Sequence, residues 1–420
     1  MERIYAYRMT TTSGGNLSIR EENGDIWITP TRVDKGTLRR EDMVLVRHDG
    51  AAEGLHRPSS ELPFHQAIYR ARPELRGIVH AHPVALVAFS AIHEVPNTRL
   101  FPKAQSICGE VAYAPYQLPG SEALGSTVAD KFSQGSECAI LENHGVVTAG
   151  RNLGEAFQRF ETLEFVAKTI IKGKQLGEVR FLTAMEIELA EQRPTEMPEF
   201  PPENPSSQER ELRRRLCEFV RRAYRQRLFI STLGTFSVRL GESSFLITPF
   251  QVDRGILDPG DLVRIENGSC EAGKSPSRAT GNHEAIYRLH PSIHALINAS
   301  PVNATAFSVT GATLDSRTIP ESYVVLRHVG RVEYGLPFQD SKALARRCSP
   351  QRPALLLEND GVLVSGTDLL EAYDRLEVLE STAEALINSR VIGSLAPIPA
   401  EAIRALDLAF FSSMEKLPLD

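Results

Sequence analysis

The sequence predicts an α/β fold in two tandem copies, each with a central, largely antiparallel sheet flanked by helices. Short runs with strand character over 17–20, 25–29 and 43–47 are separated by Asn23-Gly24 and Asp49-Gly50. These dipeptides are typical of tight hairpin turns, which join strands that run in opposite directions. Stretches with helical periodicity follow them, so strands and helices alternate within each copy.

The remaining elements of the first copy can be placed in order. We expect a helix over 61–71, a strand over 78–82, a helix over 83–92, strands over 138–141 and 146–148, and a long amphipathic helix over 153–174. Ser59 or Ser60 should lie near the N-cap of the first helix, because a hydroxyl oxygen accepts a hydrogen bond from a helix N–H. Pro83 suits the first turn of the next helix, where no N–H is required.

A second copy is visible as a repeat of these motifs. Residues 57–70 return as 275–288, a shift of 218, and residues 142–146 return as 358–362, a shift of 216. A near-constant shift over most of each half indicates duplicated domains and not short solenoid repeats.

A stretch rich in proline, glutamate and serine separates the copies. We assign a semi-extended linker to 197–208, between a first domain over 1–196 and a second domain over 209–420. The second domain opens with an arginine-rich amphipathic helix over 209–227. Either the first domain lacks this helix, or the chain starts short of it. We interpret the arginines of this helix as a solvated basic face.

Composition narrows the classes of function. The net charge of −6 and the pI near 6.1 give no general attraction to nucleic acid or acidic lipid. The five cysteines are scattered and odd in number, which favours reduced thiols in a cytoplasm over a disulfide framework. The N-terminus has no apolar export segment, and no run approaches the ~20 apolar residues of a membrane span. We therefore expect a cytoplasmic protein that acts on a small molecule and binds neither nucleic acid nor a membrane.

Three histidines are the strongest candidates for chemistry. His80 and His82 lie on one predicted strand, so their side chains point to the same side and can share a cation. His144 follows another apolar run, 138–141. Three imidazoles with an open fourth position are a common form of catalytic zinc site. The alternative is a set of core histidines held by hydrogen bonds, which the spacing alone leaves open.

Six motifs occur in order in the first copy. They are Gly14-Gly15-Asn16-Leu17-Ser18, Ile28-Thr29-Pro30-Thr31, Pro58-Ser59-Ser60-Glu61, His80-Ala81-His82-Pro83, Ala114-Pro115-Tyr116 and Glu142-Asn143-His144-Gly145. Together they resemble the motifs of the class II aldolase/adducin family, which includes fuculose-phosphate aldolase, ribulose-phosphate 4-epimerase and related decarboxylases and dehydratases. The resemblance covers residues 10–180 and, in framework, 229–395. It implies a three-layer α/β/α domain.

The resemblance also implies roles for individual residues. His80, His82 and His144 correspond to metal ligands, and Glu61 corresponds to the acid/base carboxylate. The groups that would hold a substrate phosphate are Gly15, Asn16, Thr29, Ser59 and Ser60. The expected ion is Zn²⁺, with Mn²⁺, Co²⁺ and Fe²⁺ as alternatives. From the residues alone, Glu61 also fits a helix N-terminal glutamate, and the glycine and serine positions also fit a plain loop and cap.

Two positions depart from the family pattern. Arg32 stands where sugar-phosphate members often have glycine, so we leave open whether the substrate carries a phosphate. Phe101 lies in the stretch where aldolase relatives supply a tyrosine as an acid from the adjacent subunit. A phenyl ring cannot donate a proton, so the general acid is open, with Tyr113 and Tyr116 as candidates.

The second copy has lost the candidate groups. Asn298, Ser300 and Asp360 replace His80, His82 and His144, while Ala279, Arg278 and Thr235 replace Glu61, Ser60 and Asn16. The new set is too rich in oxygen for zinc, although it does not exclude a harder cation. We therefore predict a catalytic first domain and a structural second domain.

These observations predict a divalent-metal lyase, an aldolase or a decarboxylase, that acts on a small hydroxy-carbonyl or sugar-acid substrate through an enediolate. An epimerase or dehydratase of the same family is an alternative, although epimerase relatives usually carry aspartate where Glu61 stands. A non-catalytic scaffold, as in the adducins, is another. An oxygen-using enzyme is disfavoured, because the common iron triad includes a carboxylate ligand. Since family members form fourfold rings, we expect a homodimer that makes a pseudo-fourfold ring.

Overall fold

The computed structural model describes residues 1–191 and 197–411. These residues form two compact units, the first comprising Met1–Ile171 and the second beginning at Lys172. Each unit has its own sheet and its own buried core. None of the helices in the described ranges combines the length and apolarity that crossing a bilayer requires.

The first unit is built on one sheet. Its strands are β1 (Asn16–Arg20), β2 (Ile26–Ile28), β3 (Val44–Val46), β4 (Ala52–Glu53), β5 (Gly77–Ala81), β6 (Ala112–Ala114), β7 (Cys138–Leu141) and β8 (Gly145–Gly150). Its helices are α1 (Glu2–Ala6), α2 (Leu62–Ala71), α3 (Val84–Ala91), α4 (Pro102–Cys108), α5 (Glu122–Ser133) and α6 (Leu153–Leu176), the last of which continues past Ile171. Over the described residues the strand order is β4-β3-β2-β1-β5-β8-β7-β6, and every neighbouring pair except β6 and β7 is antiparallel. The strand β5 therefore lies near the centre of the sheet.

Helices cover both faces of this sheet. On one face, α2 and α5 pack on the strands through a continuous apolar cluster that includes Phe64. Along β8, Val147 and Ala149 point into that cluster. Thr148 lies between them and points to the opposite face, where its Oγ1 donates to the Ala156 carbonyl of α6 over 2.8 Å. The predicted three-layer α/β/α arrangement with a mostly antiparallel sheet is confirmed.

The second unit repeats this plan. Its helices are α7 (Ala184–Glu191), α8 (Ser207–Arg225), α9 (Thr280–Leu289), α10 (Val302–Ser308), α11 (Pro320–Leu326), α12 (Leu336–Gln339), α13 (Ser341–Arg347), α14 (Leu369–Ile392) and α15 (Ala400–Phe411). Its strands are β9 (Glu199–Phe200), β10 (Thr235–Arg239), β11 (Ser244–Ile247), β12 (Val263–Glu266), β13 (Ser269–Glu271), β14 (Ala295–Ala299), β15 (Val329–Val332), β16 (Ala354–Leu357) and β17 (Gly361–Gly366). In the described chain they are ordered β15-β16-β17-β14-β10-β11-β12-β13-β9.

The register of the central strands is the same in both units. Asn16 of β1 lies opposite His80 of β5, and Thr235 of β10 lies opposite Asn298 of β14. The predicted tandem duplication is therefore present at the level of individual residue pairs.

The compact units divide earlier in the chain than the predicted linker. Glu199–Phe200, which the sequence places in that linker, pairs in parallel with β13 as an edge strand. Residues 192–196 lie outside the described residues. Residues 172–191 belong to the second unit, where Val179 forms a β-bridge with Thr310. The proline-rich composition hid the strand, because such a stretch is compatible with a sheet only at its edge.

Several predicted elements are present with shifted ends. The helix predicted over 61–71 begins at Leu62, with Glu61 at its N-cap position. Pro83 is the N-cap residue of α3 and does not lie within its first turn. The arginine-rich helix begins at Ser207, where the Ser206 hydroxyl caps it.

Candidate metal and acid–base site

The central strand β5 carries the first candidate ligand. His80 lies opposite Asn16 and Val147 on the neighbouring strands, and its side chain is fully buried. Its Nδ1 donates to the Val146 carbonyl over 2.9 Å. Since this hydrogen bond holds a proton on Nδ1, the Nε2 of the neutral ring is the atom available to a metal ion.

The turn between β7 and β8 brings another imidazole to the end of β5. His82 follows the last residue of β5, and His144 lies in the turn. Asn143 adopts a φ of 50°, a left-handed conformation that asparagine tolerates better than most residues. The turn can lie close to the end of β5 because His144 is followed by a glycine. A Cβ at Gly145 would lie only 2.6 Å from the Ala81 carbonyl oxygen.

His80, His82 and His144 converge at this point. The Nε2 atoms of His80 and His82 are 3.1 Å apart, and the three ring centroids are separated by 4.8, 4.9 and 5.0 Å. One nitrogen from each ring lies within 4.8 Å of the others, and in the described part of the chain no other three His, Cys, Asp or Glu side chains are grouped this way. Three imidazole nitrogens this close together fit a shared divalent cation.

Glu61 completes the cluster. Its side chain is largely buried, with Oε2 at 3.1 Å from His80 Nε2 and Oε1 at 3.3 Å from His144 Nε2. Asn16 Nδ2 donates to Oε2 over 2.7 Å. Within the described residues the buried Oε1 has no hydrogen-bond partner, which leaves a carboxylate oxygen directed at the imidazoles and able to take a proton or meet a ligand.

The charges in the cluster are coupled. Burial opposes ionisation of Glu61, but the imidazoles of His80 and His144 and the Asn16 amide outweigh it and hold the Glu61 pKa well below its usual range. Burial also disfavours a charged His80, yet the Glu61 carboxylate raises the His80 pKa. Burial and the charge of His80 lower the pKa of His82 to about 3 and that of His144 to about 4. The Glu61 carboxylate therefore favours the protonated form of His80, whereas the lowered pKa values of His82 and His144 favour their neutral forms.

The residues expected to hold a phosphate lie beside this cluster in different environments. Gly15 has a φ of 71°, and a Cβ there would lie 2.7 Å from the His80 carbonyl oxygen, so glycine is required. Thr29 is buried, and its Oγ1 accepts from the Leu17 N–H over 3.1 Å. The Ser59 hydroxyl accepts from the Glu61 N–H over 3.3 Å, whereas Ser60 is exposed.

Asn16 differs from the other phosphate candidates because its side chain is already engaged. Its Nδ2 contacts Glu61 and its Oδ1 contacts His65, and the residue is buried. The structure therefore brings its amide to the carboxylate. A phosphate contact by Asn16 stays a prediction.

The two departures from the family pattern have distinct structural settings. Arg32 has a φ of 58°, a left-handed backbone conformation that favours glycine, the residue that the family resemblance leads us to expect there. Phe101 is buried and stacks on Phe165 with ring centroids 5.2 Å apart. Of the candidate acids, Tyr113 has a pKa raised by burial and by the nearby Glu142, and Tyr116 is exposed.

Sequence reasoning missed a buried polar cluster behind Asn16. His65, Ser18 and Tyr69 are linked there by hydrogen bonds. A signal was present, because Ser237, His283 and Tyr287 stand at the equivalent positions of the second copy.

The equivalent point of the second unit has another set of contacts. His283 Nε2 bonds to Asn298 Oδ1 over 2.6 Å, and Thr235 Oγ1 lies 2.6 Å from Ser277 Oγ. Ala279 supplies no carboxylate. The described residues of this unit contain no histidine triad like that of the first unit.

Comparison with known proteins identifies the family. The sequence matches the class II aldolase and adducin N-terminal domain over residues 1–171 and 214–387. The chain therefore belongs to the class II aldolase/adducin family and carries two copies of its domain.

Individual relatives match about one copy. An L-fuculose phosphate aldolase from Methanococcus maripaludis is 35% identical over 166 residues, covering 39% of this chain and 88% of the relative. A 3-oxo-tetronate 4-phosphate decarboxylase from Haemophilus influenzae is 32% identical over 194 residues, covering 45% of this chain and 91% of the relative. Among solved structures, an L-fuculose-1-phosphate aldolase from Thermus thermophilus is 27% identical, with a TM-score of 0.37 and coverage of 41% of this chain and 89% of that one.

Proposed function

We propose that this protein is a divalent-metal-dependent carbon–carbon lyase, an aldolase or a decarboxylase, that acts on a small hydroxy-carbonyl or sugar-acid substrate. The observation that carries the proposal is the convergence of His80, His82 and His144 on one point beside the Glu61 carboxylate. The named activities of the two relatives, an aldolase and a decarboxylase, support the same reaction class.

The three imidazoles are the groups that would hold the ion. Nitrogen ligands favour Zn²⁺, with Mn²⁺, Co²⁺ and Fe²⁺ as alternatives. A bound ion would supply a Lewis acid that polarises a substrate carbonyl and stabilises the negative charge of an enediolate.

Glu61 is the group that would move the proton. In aldol cleavage a base removes the proton of the hydroxyl at the β-carbon, the carbon–carbon bond breaks, and its electron pair enters the enediolate. In decarboxylation the bond to the carboxylate carbon breaks, carbon dioxide leaves, and the electron pair of that bond enters the enediolate. Either product needs a proton returned to carbon, and a buried carboxylate in contact with two imidazoles can hold and deliver one.

A phosphate on the substrate is part of the proposal. Both relatives are named for phosphorylated compounds. Gly15, Asn16, Thr29, Ser59 and Ser60 are the proposed anion-binding positions, with Ser59 and Ser60 at the N-terminus of α2, where the helix dipole favours an anion.

Metal analysis combined with two matched variants tests the lyase proposal. We expect about one divalent ion per chain. His82→Ala should abolish metal binding and turnover, and Asp360→Ala, at the equivalent of His144 in the second unit, should leave both unchanged. Turnover should be sought with L-fuculose 1-phosphate and 3-oxo-tetronate 4-phosphate under Zn²⁺, Mn²⁺ and Co²⁺. If Asp360→Ala loses its metal, our assignment of the metal site to the first unit is wrong. A wild-type chain that takes up no metal would favour the adducin-like scaffold.

We also propose that two chains associate as a homodimer that forms a pseudo-fourfold ring. The support is a difference between equivalent surfaces. In the second unit, Asn359 is fully buried because Arg180 Nη1 donates to its Oδ1 and its Nδ2 donates to the Arg180 carbonyl. In the first unit the equivalent Asn143, beside His144, is exposed. We propose that a second copy of the chain packs against the surface around Asn143.

Exposed apolar residues on two segments that bond to the Glu142–Asn143 turn provide the test of this dimer: the Asn143 N–H donates to the Ser90 carbonyl, and the Tyr116 N–H donates to the Glu142 carboxylate. Ile92 and Leu118 are 59% and 67% exposed. Ile92→Asp and Leu118→Asp should convert a wild-type dimer into monomers in sedimentation experiments, because a buried charge without a partner opposes association. Leu289→Asp, at another exposed leucine, is the control and should remain dimeric. A wild-type monomer that is active would remove the ring proposal. The cytoplasmic location, inferred from the cysteines, stays a prediction.

A further inference from the structure

We propose that Asn16 and His65 are positioning residues that hold the Glu61 carboxylate in one orientation through a chain of buried hydrogen-bond donors. We call Tyr69, Ser18, His65 and Asn16 the donor chain. The inference rests on the proposed function, because it assigns residues that act through the proposed proton carrier.

Four consecutive hydrogen bonds define the donor chain. Tyr69 Oη and Ser18 Oγ are 2.8 Å apart, and Ser18 Oγ lies 2.7 Å from His65 Nδ1. His65 Nε2 bonds to Asn16 Oδ1, and Asn16 Nδ2 reaches Glu61 Oε2 over 2.7 Å. Every member of the donor chain is buried.

Two regular elements place these side chains. Asn16 and Ser18 are two residues apart on β1, so they point to the same face of the sheet. Glu61, His65 and Tyr69 follow one another at intervals of four residues from the N-cap of α2 into its last turn, so they share one side of that helix. The donor chain therefore forms where these two faces meet.

The carboxylate at its end fixes the direction of every proton. An ionised carboxylate only accepts, so Asn16 must present its NH₂ group to Glu61 and its carbonyl oxygen to His65. His65 Nε2 must then donate, which leaves Nδ1 of a neutral ring to accept from the Ser18 hydroxyl. The Ser18 oxygen in turn accepts from Tyr69. Burial lowers the pKa of His65 to about 3, which agrees with a neutral ring.

This order leaves the Asn16 amide one favourable orientation. If Asn16 turned its carbonyl oxygen to Glu61, two acceptors would face each other, and the His65 N–H would face an NH₂ group. The donor chain thus holds a charge-assisted hydrogen bond on Oε2, the carboxylate oxygen nearest to His80. Without it, the carboxylate loses one of the contacts that keep it turned toward the proposed metal site.

The second unit contains the same cluster without a carboxylate. Ser237 Oγ lies 2.7 Å from both His283 Nδ1 and Tyr287 Oη. His283 Nε2 bonds to Asn298 Oδ1, and Ala279 stands in place of Glu61. The Ser-His-Tyr part therefore belongs to the fold in both units, and the connection to a carboxylate belongs to the first unit.

This duplication supplies a matched control for the experiment. His65→Leu and His283→Leu each remove a fully buried imidazole whose Nδ1 bonds to a serine hydroxyl, which in turn bonds to a tyrosine hydroxyl. His65→Gln returns an N–H donor at about the distance of Nε2. The full-length, metal-loaded protein is assayed with L-fuculose 1-phosphate and 3-oxo-tetronate 4-phosphate, and its Zn²⁺ affinity is measured separately.

We expect His65→Leu to lower kcat by about 10- to 100-fold, the usual effect of losing a hydrogen bond behind a functional group. KM and Zn²⁺ affinity should stay within about threefold of wild type, because neither substrate nor metal touches His65. His65→Gln should recover most of kcat, and His283→Leu should leave it unchanged. Equal effects of His65→Leu and His283→Leu, or a fall in KM and kcat that glutamine does not rescue, would overturn the proposal.

A readout without turnover separates this inference from the proposed function. Nitrogen NMR of ¹⁵N-histidine-labelled, metal-free protein should identify His65 as the Nε2–H tautomer. Asn16→Ala should shift the His65 ring resonances and leave those of His283 in place. If the wild-type protein turns over neither compound, the proposed substrates fail while this spectrum still decides on the donor chain. An Nδ1–H tautomer, or a His65 ring insensitive to Asn16→Ala, would refute it.

Discussion

Metal binding to the histidine cluster should release one proton, and Glu61→Gln should abolish most of that release. In the metal-free protein the Glu61 carboxylate, 3.1 Å from His80 Nε2, raises the His80 pKa above its usual value of 6.5. A ligating imidazole must be neutral, so the proton on the His80–Glu61 pair has to leave. His82 and His144, with pKa values lowered to about 3 and about 4, are already neutral and release none.

The magnitude follows from the proton count. Below the His80 pKa, one displaced proton makes the apparent metal affinity rise about tenfold per pH unit, or about 1.4 kcal/mol. In Glu61→Gln the charged partner is gone, and burial alone lowers the His80 pKa, because desolvation disfavours the imidazolium. The affinity of that variant should therefore change little above pH 6.5, although the loss of Glu61 also alters its absolute value.

Calorimetric titration with Mn²⁺ at pH 6.5, repeated in buffers with different ionisation enthalpies, measures the released protons directly. The wild-type protein should release about one proton per ion, and Glu61→Gln close to none. A release of two or three protons would mean that His82 and His144 are charged in the metal-free protein. Equal release from both proteins would mean that Glu61 does not hold a proton on His80, and the electrostatic reasoning for the cluster would be wrong.

Further predictions concern packing, acid stability and metal removal. Gly145→Ala should reduce metal affinity at least tenfold, because a Cβ there would lie 2.6 Å from the Ala81 carbonyl oxygen and would displace the turn that carries His144. Gly260→Ala is the control in the same titration, because its Cβ would have no neighbour within 4 Å. Lowering the pH from 7.5 to 5.5 should destabilise the metal-free protein by about 1 kcal/mol for each of the buried His65 and His283: their folded-state pKa values are lowered, so the unfolded chain binds more protons below pH 6.5. Urea midpoints at the two pH values measure this, and an unchanged midpoint would contradict it. Chelation of the metal should lower the thermal midpoint of wild type and leave that of His82→Ala unchanged, because only the folded triad binds the ion.

The fold and the histidine cluster were predictable because their signals are local or repeated. The two-residue spacing puts the His80 and His82 side chains on one side, although β5 itself ends at Ala81, and Gly145 marks a close approach after His144. The duplication gave a second view of each element, so a strand or helix found in one half supported its counterpart.

The repeat matches Ser18, His65 and Tyr69 with Ser237, His283 and Tyr287, but it does not reveal that these side chains bond to one another or to Asn16. Ser18 is an ordinary strand residue, and His65 and Tyr69 have the spacing of any amphipathic helix. Their connection depends on how α2 sits against β1, which is a tertiary property. The extent of the second unit was hidden for a related reason: a two-residue edge strand, Glu199–Phe200, is too short to create a periodic pattern.

The substitutions in the second unit form a consistent set when the buried hydrogen bonds are followed. Replacement of Asn16 by Thr235 removes the acceptor that His65 uses, and the equivalent ring in His283 would be left with an unpaired N–H, at a cost of about 1–3 kcal/mol. Asn298, which stands in place of His80, provides that acceptor from the neighbouring strand. A buried carboxylate at position 279 would lack the counterparts of the His80 and His144 imidazoles and of the Asn16 amide that Glu61 contacts, and alanine avoids that charge. The loss of the ligands, the amide and the carboxylate can thus be understood as one change that removed the chemistry and kept every buried donor of the Ser-His-Tyr cluster satisfied.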